Sequence, residues 1–348
     1  MQTTYSKPSA HITPEIQAYR RSSNEQLERQ WGLVASLAGR PMREVCILCG
    51  GSLTSGERMN HRGLEYVFCP RCEHLQTRLL PPPGYPTSNE GGITFDSVYP
   101  PLDENEFRSR RDRIYAPKLE WALGLAGEMG KTRDEMLGLR WVEIGCGAGY
   151  FLSALQEQGA ETIMGLEAES ELVERANAKL VGNPVLHWDR SPHLVLSEHP
   201  ADIYTAFFVM EHIENAGEFF RAFAKTAPGT LLLFSVPAFG LSALLDNVFE
   251  GVHARMLDGA VHTQLYTDSS VGYALRIAGC RAVGEWVFGA DSIAFIEHLR
   301  YSLIDKMEEG RLRIISEKLQ QLMDPLQVLV DRLRFADERH VLAVRTEE

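Results

Sequence analysis

The sequence lacks any apolar run long enough to cross a membrane. LLLFSV at 231–236 is far shorter than the ~18 residues that a membrane-spanning helix needs. The first residues, MQTTYSKPSAHITPE, contain no apolar core of a secretory signal peptide. No internal repeat is visible either. These absences predict a protein with no membrane segment and a cytoplasmic location.

The sequence also lacks the basic excess that is typical of nucleic-acid-binding proteins. Its 35 Lys and Arg residues are outnumbered by 47 Asp and Glu residues, and the formal net charge is −12. Because phosphate contacts need clustered cations, nucleic acid is not the expected partner. One local exception is FRSRRDR, which holds Arg108, Arg110, Arg111 and Arg113. We interpret it as a solvated helix face, with a site for a phosphate-bearing substrate as the alternative.

A third absence is a disulfide framework, because the 348 residues include only six cysteines and two of these stand alone in apolar segments. The other four form two C-x2-C pairs separated by 19 residues: Cys46, Cys49, Cys69 and Cys72. This spacing is typical of zinc, since two residues between thiols let both sulfurs bind one tetrahedral ion. Four thiolates leave no open position, so we predict a structural zinc. Free or redox-active cysteines are the alternative.

The pattern along the chain divides it into four parts. The large C-terminal part alternates apolar, strand-like segments with amphipathic helical ones, which is typical of an α/β fold with a mostly parallel sheet. We expect the zinc module to fold separately from it, with the metal supplying much of the folding energy. The predicted parts are an N-terminal helical segment (1–43), a zinc-ribbon module (44–78), a Pro- and Gly-rich linker (79–104) and the large domain (105–348), with a helical insertion at 291–336.

The insertion carries apolar residues at helical spacing, and such a face needs a partner. We therefore predict that it forms a lid or a homodimer surface. The apolar positions are Leu319, Leu322, Leu326 and Leu329.

The sharpest motif is a glycine-rich turn, VEIGCGAGYF at 142–151. An apolar strand precedes it and a helix follows it, which is the context in which such a turn binds a ligand. Glycine is needed where the backbone bends tightly and where a ligand approaches the main chain. Glu167 ends the next strand, 18 residues after Gly149. A carboxylate there can accept hydrogen bonds from both hydroxyls of a ribose.

E-I-G-C-G-A-G followed by G-L-E at the end of the second strand resembles the class I S-adenosylmethionine-dependent methyltransferases, over roughly 110–290 plus the last strand. A nicotinamide-binding GxGxxG motif would have its third glycine where this sequence has Tyr150. The resemblance implies a Rossmann-like core with a mostly parallel seven-stranded sheet, and S-adenosylmethionine as the cofactor. It also implies that the glycines line the methionine part, that Glu143 lies beneath the turn and that Glu167 binds the ribose. The implied cofactor-binding residues are Glu143, Gly145, Cys146, Gly147, Gly149, Tyr150, Phe151, Glu167, Trp188, Asp189 and Phe207.

Methyl transfer to a hydroxyl needs an aligned nucleophile and a group that takes its proton. The resemblance implies an acceptor pocket past the ends of the fourth and fifth core strands, near Glu211, His253, His262 and Tyr266. The segment HTQLYT that begins at His262 resembles the H-x3-[FY]-[ST] stretch of many small-molecule members. We predict His262 as general base or acceptor-orienting residue, with the other three as further candidates. Loop support by His262 and packing of Tyr266 on the sheet are the structural alternatives.

A zinc ribbon ahead of such a core resembles two kinds of enzyme. One kind methylates small molecules, including nucleotide-linked sugars and natural-product intermediates. The other methylates ribosomal RNA, which the ribbon recognises. The acidic net charge favours a small-molecule acceptor. An RNA methyltransferase and a catalytically silent cofactor-binding adaptor are the alternatives.

Overall fold

The structure of the chain is a computed structural model. It describes residues 1–11, 27–28, 31–32, 34–35, 37, 39–80, 103–249, 251, 256–257, 263–304 and 306–347. Residues 12–26 of the predicted N-terminal helical segment and most of the predicted linker lie outside these ranges, whereas 27–28, 31–32 and 34–35 are helical. None of the described helices is both long and apolar enough to span a bilayer.

The α/β domain is built on one large sheet. The described strands are β1 (Gln2–Tyr5), β2 (Arg58–His61), β3 (Leu64–Phe68), β4 (Leu75–Thr77), β5 (Trp141–Ile144), β6 (Ile163–Glu167), β7 (Val185–His187), β8 (Ile203–Phe207), β9 (Leu231–Pro237), β10 (Gln264–Leu265), β11 (Cys280–Phe288) and β12 (Glu338–Arg345). The order in the large sheet is β1-β11-β12-β9-β8-β5-β6-β7. β12 is antiparallel to both of its neighbours, and the other pairs are parallel. The predicted mostly parallel α/β fold is confirmed.

The sheet has eight strands, one more than the predicted seven. The additional strand is β1, which pairs in parallel with β11 at the edge and places Gln2 opposite Gly284. These residues belong to the predicted N-terminal helical segment (1–43), in which no strand is expected. A four-residue segment without apolar alternation gives no strand signal of its own, and it is the unpaired edge of β11 that engages its backbone. Trp286 Nε1 donates to the Ser6 carbonyl at 2.9 Å and fixes the end of the strand.

Helices cover both faces of the sheet. They are α1 (Glu104–Arg110), α2 (Ala116–Gly124), α3 (Arg133–Leu137), α4 (Tyr150–Glu157), α5 (Ser170–Asn177), α6 (Val195–Glu198), α7 (Ala216–Phe223), α8 (Leu241–Val248), α9 (Asp268–Ile277), α10 (Asp291–Leu303) and α11 (Glu309–Arg332). A π-helical turn over Arg111–Tyr115 joins α1 to α2. Leu119 of α2 and Phe151 of α4 pack on one face, whereas Phe220 of α7 and Ala274 of α9 pack on the other.

The cysteine-containing segment forms a second sheet of order β10-β4-β3-β2. Because β10 belongs to the α/β domain, this sheet crosses the predicted domain boundary, with Leu265 opposite Leu75. Leu48 of the ribbon lies in the same hydrophobic cluster as Phe220. The contact is close, since a Cβ on Gly217 would lie 2.1 Å from the Leu48 carbonyl oxygen. The shared sheet and cluster argue against the expectation that ribbon and core fold separately.

The predicted insertion at 291–336 contains α10 and α11. Its four leucine positions differ in environment. Leu326 packs against the cluster that contains Val287. Leu322 and Leu329 are 55% and 56% exposed. The lid and homodimer interpretations of this surface both stay predictions.

Candidate active site and cysteine cluster

The glycine-rich turn lies at the carboxyl rim, defined here as the ends of β5, β6, β8, β9 and β11 together with the start of β12. Gly145, Gly147 and Gly149 have φ values of 66°, 53° and 80°, which side chains rarely adopt. A Cβ on Gly145 would lie 2.7 Å from Val209 Cγ2, and one on Gly149 would lie 2.9 Å from Leu180 Cδ1. α4 starts directly after the turn without a side-chain cap. Its first N–H groups are therefore directed to a ligand position.

Glu167 ends β6, and its carboxylate reaches back to the turn. Its Oε2 accepts a hydrogen bond from Gly147 N at 2.7 Å, and its Oε1 accepts one from Glu169 N at 3.1 Å. Burial raises the pKa of Glu167, and the backbone N–H groups of Glu169 and Gly147 oppose this rise. A carboxylate has about four lone-pair sites, so this one can still accept from two hydroxyls. Glu167 is therefore held beside the turn in an orientation that suits a ribose.

Three buried ionisable side chains meet at the rim: Glu143 of β5, Lys118 of α2 and Glu211 after β8. Their exposed fractions are 2%, 3% and 0%. Within the described residues, Glu143 Oε2 and both carboxyl oxygens of Glu211 have no hydrogen-bond partner. Burial raises the pKa of Glu143 well above its usual value. It also raises the pKa of Glu211 to about 8 and lowers that of Lys118 to about 8.

A buried polar atom without a hydrogen-bond partner is costly, so Glu143 Oε2 and the Glu211 carboxyl are placed to bond to polar groups of a ligand. S-adenosylmethionine carries an ammonium, a carboxylate and a cationic sulfonium. Glu143 lies in β5 just before the turn, and its unpartnered Oε2 suits the ammonium. Together with the glycine turn and Glu167, it shows that the residues present fit this cofactor.

Aromatic rings enclose Lys118 at the end of β8. Its Nζ lies 4.9 Å from the ring centroids of both Phe207 and Phe208, and 5.5 Å from that of Tyr115. Phe208 has a φ of 55°, which is rare for a bulky residue. Phe207 contacts Phe151 edge to face at 4.7 Å. Phe207 and Phe208 therefore form an apolar wall beside the buried ammonium.

Cys146 and Tyr150 of the predicted cofactor set direct their side chains into the protein. The Tyr150 ring stacks on Phe107 at 4.6 Å and on Tyr115 at 5.2 Å. Cys146 packs against Gly165, where a Cβ would lie 2.7 Å from its Sγ. A ligand at the turn would therefore meet the backbone of these two residues.

Trp188 and Asp189 follow β7. Trp188 N donates to the Glu167 carbonyl at 2.8 Å, which fixes the backbone beside the ribose-binding candidate. The Trp188 ring is half-buried and contacts His199 at 5.2 Å, and its Nε1 is buried without a hydrogen-bond partner. Asp189 is exposed. Of the two adenine-contacting candidates, Trp188 is thus the one that lies against Glu167.

Two of the four predicted catalytic residues lie in the described part of the chain. Glu211 faces the rim. Tyr266 is fully buried, and its ring contacts His74 edge to face at 4.6 Å, beside the cysteine cluster. This position favours the packing alternative for Tyr266. His253 and His262 lie outside the described residues, so their roles stay predictions.

Sequence reasoning missed four rim residues. Lys118 is one, although a lysine among the apolar positions of α2 was a usable signal. The others form a hydrogen-bonded chain from Ser235 of β9 through His340 to Glu338 of β12. The same-face spacing of Glu338 and His340 in the last strand was visible, but their neighbours were not.

The arginine cluster is largely engaged within the protein. Arg108 pairs with Glu104 at 2.9 Å, and Arg111 with Glu157 at 3.1 Å. Arg113 donates to Ser109 Oγ at 2.5 Å. The solvated-helix and phosphate-site interpretations of this cluster both stay predictions.

The four paired cysteines form one buried cluster. Sγ–Sγ distances are 3.7 Å for Cys46 with Cys72 and 3.5 Å for Cys49 with Cys69, and all four sulfurs lie within 4.8 Å of one another. A tetrahedral zinc at ~2.3 Å from each sulfur places the sulfurs ~3.8 Å apart. Gly51 N donates to Cys49 Sγ at 3.3 Å, which stabilises a thiolate. The cluster therefore fits a structural zinc.

His74 does not compete with these ligands. Its Nε2 bonds to Gln264 Oε1 at 2.7 Å, on the α/β side of the ribbon. The histidine thus connects the ribbon to the core.

The chain is similar to known methyltransferases. A family model described as a methyltransferase domain matches residues 107–284, just over half of the chain. A curated relative, the ubiquinone biosynthesis O-methyltransferase of Caulobacter sp. (strain K31), is 30% identical over 130 residues, which are 36% of this chain and 51% of the relative. The chain therefore spans about half the length of that relative.

Solved methyltransferase structures are similar in general fold. An S-adenosylmethionine-dependent methyltransferase from Mesorhizobium loti is 17% identical, with a TM-score of 0.39, over 60% of this chain and 91% of that one. Magnesium protoporphyrin IX methyltransferase from Synechocystis PCC 6803, with bound SAH, is 16% identical, with a TM-score of 0.42, over 74% and 95%. Similarity at this level adds nothing to the argument about the acceptor. The family match rests on the segment that holds the glycine turn and Glu167, and the chain belongs to the methyltransferase domain family as a class I S-adenosylmethionine-dependent methyltransferase.

Proposed function

We propose that the protein transfers the methyl group of S-adenosylmethionine to a hydroxyl of a small molecule. The observation that carries this proposal is the burial of the side chains at the rim, where Lys118, Phe207 and Glu211 are at most 8% exposed. An acceptor has to enter between such side chains, which suits a compact molecule. Sugars, nucleotide-linked sugars and natural-product intermediates are the classes to test. The name of the Caulobacter relative, an O-methyltransferase, supports oxygen as the methylated atom.

We further propose roles for the cofactor-binding residues. The methionine part lies along Gly145, Gly147 and Gly149. Glu143 accepts a hydrogen bond from the ammonium of the cofactor, and Glu167 accepts hydrogen bonds from its ribose hydroxyls. Cys146, Tyr150 and Phe151 contribute backbone at the start of α4, Trp188 or Asp189 contacts the adenine, and Phe207 flanks the methyl group. The cofactor supplies an electrophilic methyl group, and the protein binds, orients and excludes water around it.

The metal and catalytic residues belong to the same proposal. Cys46, Cys49, Cys69 and Cys72 bind one structural zinc. Of the predicted catalytic residues, Glu211 is supported by its place at the rim and Tyr266 is assigned a packing role. His262 and His253 stay candidates by sequence alone.

The experiment is incubation of the full chain with methyl-labelled cofactor, the small-molecule fraction of a cell extract and total RNA, each offered separately. We expect label in the small-molecule fraction, in a product that resists mild acid and base as a methyl ether does. Label in RNA alone would refute the proposed acceptor class, and would favour the ribosomal alternative.

A further inference from the structure

Three polar residues meet on one face of the sheet at the carboxyl rim. In the register of β9 and β12, Ser235 lies directly opposite His340. Glu338 lies two residues before His340 and therefore on the same face. It is also the residue opposite Pro237 and Phe288, the last residues of β9 and β11. Glu338 thus stands at the rim, while the other two lie one layer below it.

Hydrogen bonds connect the three side chains in a fixed direction. His340 Nε2 lies 3.3 Å from Glu338 Oε2, and His340 Nδ1 contacts Ser235 Oγ. An ionised carboxylate only accepts, so Nε2 carries the proton and Nδ1 accepts from the serine hydroxyl. The imidazole stacks on Phe288 with a centroid distance of 4.4 Å and an angle of 10°. This packing holds the ring in the plane that the two hydrogen bonds need.

Burial and Lys118 lower the pKa of His340 to about 3, so the imidazole is neutral at physiological pH. A neutral imidazole between a hydroxyl and a carboxylate orients the carboxylate without cancelling its charge. Its own exposure is 1%, whereas the Glu338 side chain is 15% exposed. Of the three groups, Glu338 is therefore the one that a substrate can reach.

The charged groups that face Glu338 come from three directions. Lys118 of α2 is attracted to it, and Glu211 after β8 is repelled by it. Asp331 of α11 is repelled by it as well. Lys7, which follows β1, is close enough to act on His340. Glu338 thus shares its surroundings with Lys118 and Glu211, the buried groups beside the aromatic wall at the end of β8.

We propose that Glu338 takes the proton of the acceptor hydroxyl during methyl transfer, with His340 and Ser235 as positioning residues for its carboxylate. The inference rests on the proposed transfer to a hydroxyl. The O–H proton moves to Glu338 as the hydroxyl oxygen forms its bond to the methyl carbon. The electron pair of the broken carbon–sulfur bond stays on sulfur. The products are a methyl ether, S-adenosylhomocysteine and a protonated Glu338 that releases its proton to water.

The first test compares two carboxylate-to-amide changes of the full chain. Glu338→Gln removes the proposed base. Glu285→Gln is the matched control, because Glu285 is a buried carboxylate on the neighbouring strand that pairs with Arg334 at 2.7 Å. The small-molecule fraction of a cell extract is the acceptor probe, and cofactor affinity is measured by calorimetry. We expect the labelling rate to fall roughly 10²–10⁴-fold in Glu338→Gln, with cofactor affinity kept, and to stay near wild type in the control.

A Glu338→Gln protein with a wild-type rate overturns the inference, and so does one whose cofactor affinity falls together with its rate. A wild-type chain that labels only RNA refutes the small-molecule acceptor, and the same two variants are then compared on that RNA. His262→Ala serves as the competing candidate. A large loss of labelling rate in His262→Ala, with none in Glu338→Gln, assigns proton removal to His262 instead.

The second test separates positioning from mere structural support. Ser235→Ala removes one oxygen from a buried strand residue and leaves the ring stack intact. Without the serine donor, the imidazole is less polarised and stabilises the Glu338 carboxylate less well. We expect the acidic limb of the labelling rate to move to higher pH, and the plateau rate at high pH to stay within a few-fold of wild type. A pH profile that keeps its shape while only its height falls would leave Ser235 and His340 without a positioning role.

Discussion

The cysteine cluster and the carboxyl rim both bury ionisable groups, but they treat them differently. In the cluster, four thiols lie within 4.8 Å of one another, and the surrounding backbone donates to one of them. At the rim, Glu143 Oε2 and both carboxyl oxygens of Glu211 have no hydrogen-bond partner within the described residues. The first arrangement is complete once one ion is added. The second is complete only when a ligand with several polar groups is bound.

Because of this difference, the cysteine cluster contributes to folding and the rim contributes to ligand binding. A closed four-thiolate site has no position for a substrate, so its contribution is folding free energy. Buried polar atoms without a hydrogen-bond partner cost folding free energy, and a ligand that bonds to them recovers it. Changes in the cluster should therefore act mainly on stability, and changes at the rim mainly on binding and rate.

The largest expected effect comes from breaking the cluster. Cys69→Ser should abolish stoichiometric zinc, and the loss of a structural zinc removes on the order of 10 kcal/mol of folding free energy from such a module. Because β10 continues the ribbon sheet and Leu48 packs with Phe220, we expect one lowered melting transition for the whole described fold. Elemental analysis and calorimetry measure both quantities.

Cys280→Ser is the matched control, since Cys280 lies outside the ribbon and should keep one zinc per chain. Iron or no metal in wild-type protein purified without chelator would contradict the zinc site. Two separate melting transitions would restore the expectation, made from sequence, that the ribbon and the core fold independently.

The second prediction concerns cofactor affinity. Glu167→Ala removes the acceptor for the proposed ribose hydroxyls and frees the backbone N–H groups of Gly147 and Glu169. Hydrogen bonds to a charged group contribute about 1.5–3 kcal/mol each, so affinity for S-adenosylmethionine should fall at least roughly tenfold. Titration calorimetry measures it, with Glu171→Ala on the exposed side of α5 as the control. Equal affinities in both variants would remove Glu167 from the site.

The regions that the sequence predicts well are those in which the interacting residues lie close together along the chain. The glycine turn and Glu167 lie within a short βαβ unit, so their spacing alone indicates a ligand site. The cysteine pairs are likewise specified by two tight turns. The resulting fold class, cofactor and family are confirmed by the sheet order and the family match.

Residues that become neighbours only through distant strand pairing could not be predicted. Ser235 and His340 are 105 positions apart and meet because β12 inserts antiparallel beside β9. His74 and Gln264 are 190 positions apart and meet because β10 joins the ribbon sheet. β1 is a strand only because β11 offers it an edge. Periodicity carries no information about any of these pairings.

A third, smaller effect should appear in the pH dependence of stability. Burial raises the pKa of Glu211 from an ordinary value of 4.5 to about 8, so the folded chain binds this proton more tightly than the unfolded chain. The stability that this provides is complete below about pH 4.5 and is lost as the pH rises to about 8. The Glu211→Gln variant has no such proton to lose. Its free energy of unfolding should therefore rise relative to that of wild type over this range, by up to a few kcal/mol.

Urea unfolding at several pH values between 5 and 8, without cofactor, measures this difference. Glu218→Gln, on the exposed part of α7, is the control and should follow the wild-type curve. Parallel curves for wild type and Glu211→Gln would mean that the Glu211 carboxyl is not kept protonated by burial.

The smallest effect is expected at the arginine cluster, where the solvated-helix and phosphate-site interpretations give opposite results. Arg108 is paired with Glu104 on the surface, and Arg113 donates to Ser109 one turn earlier on the same helical segment. A double change, Arg108→Gln with Arg113→Gln, should leave labelling of the small-molecule fraction nearly unchanged, because neither residue belongs to the proposed site. The measurement is the labelling rate at two salt concentrations. A phosphate-bearing acceptor held by these arginines would instead be labelled more slowly by the variant, and the wild-type rate would fall steeply with salt because screened cations release the phosphate. If neither the double change nor salt alters the labelling rate, the arginine cluster plays no part in acceptor binding. The side chains of the rim then discriminate between acceptors.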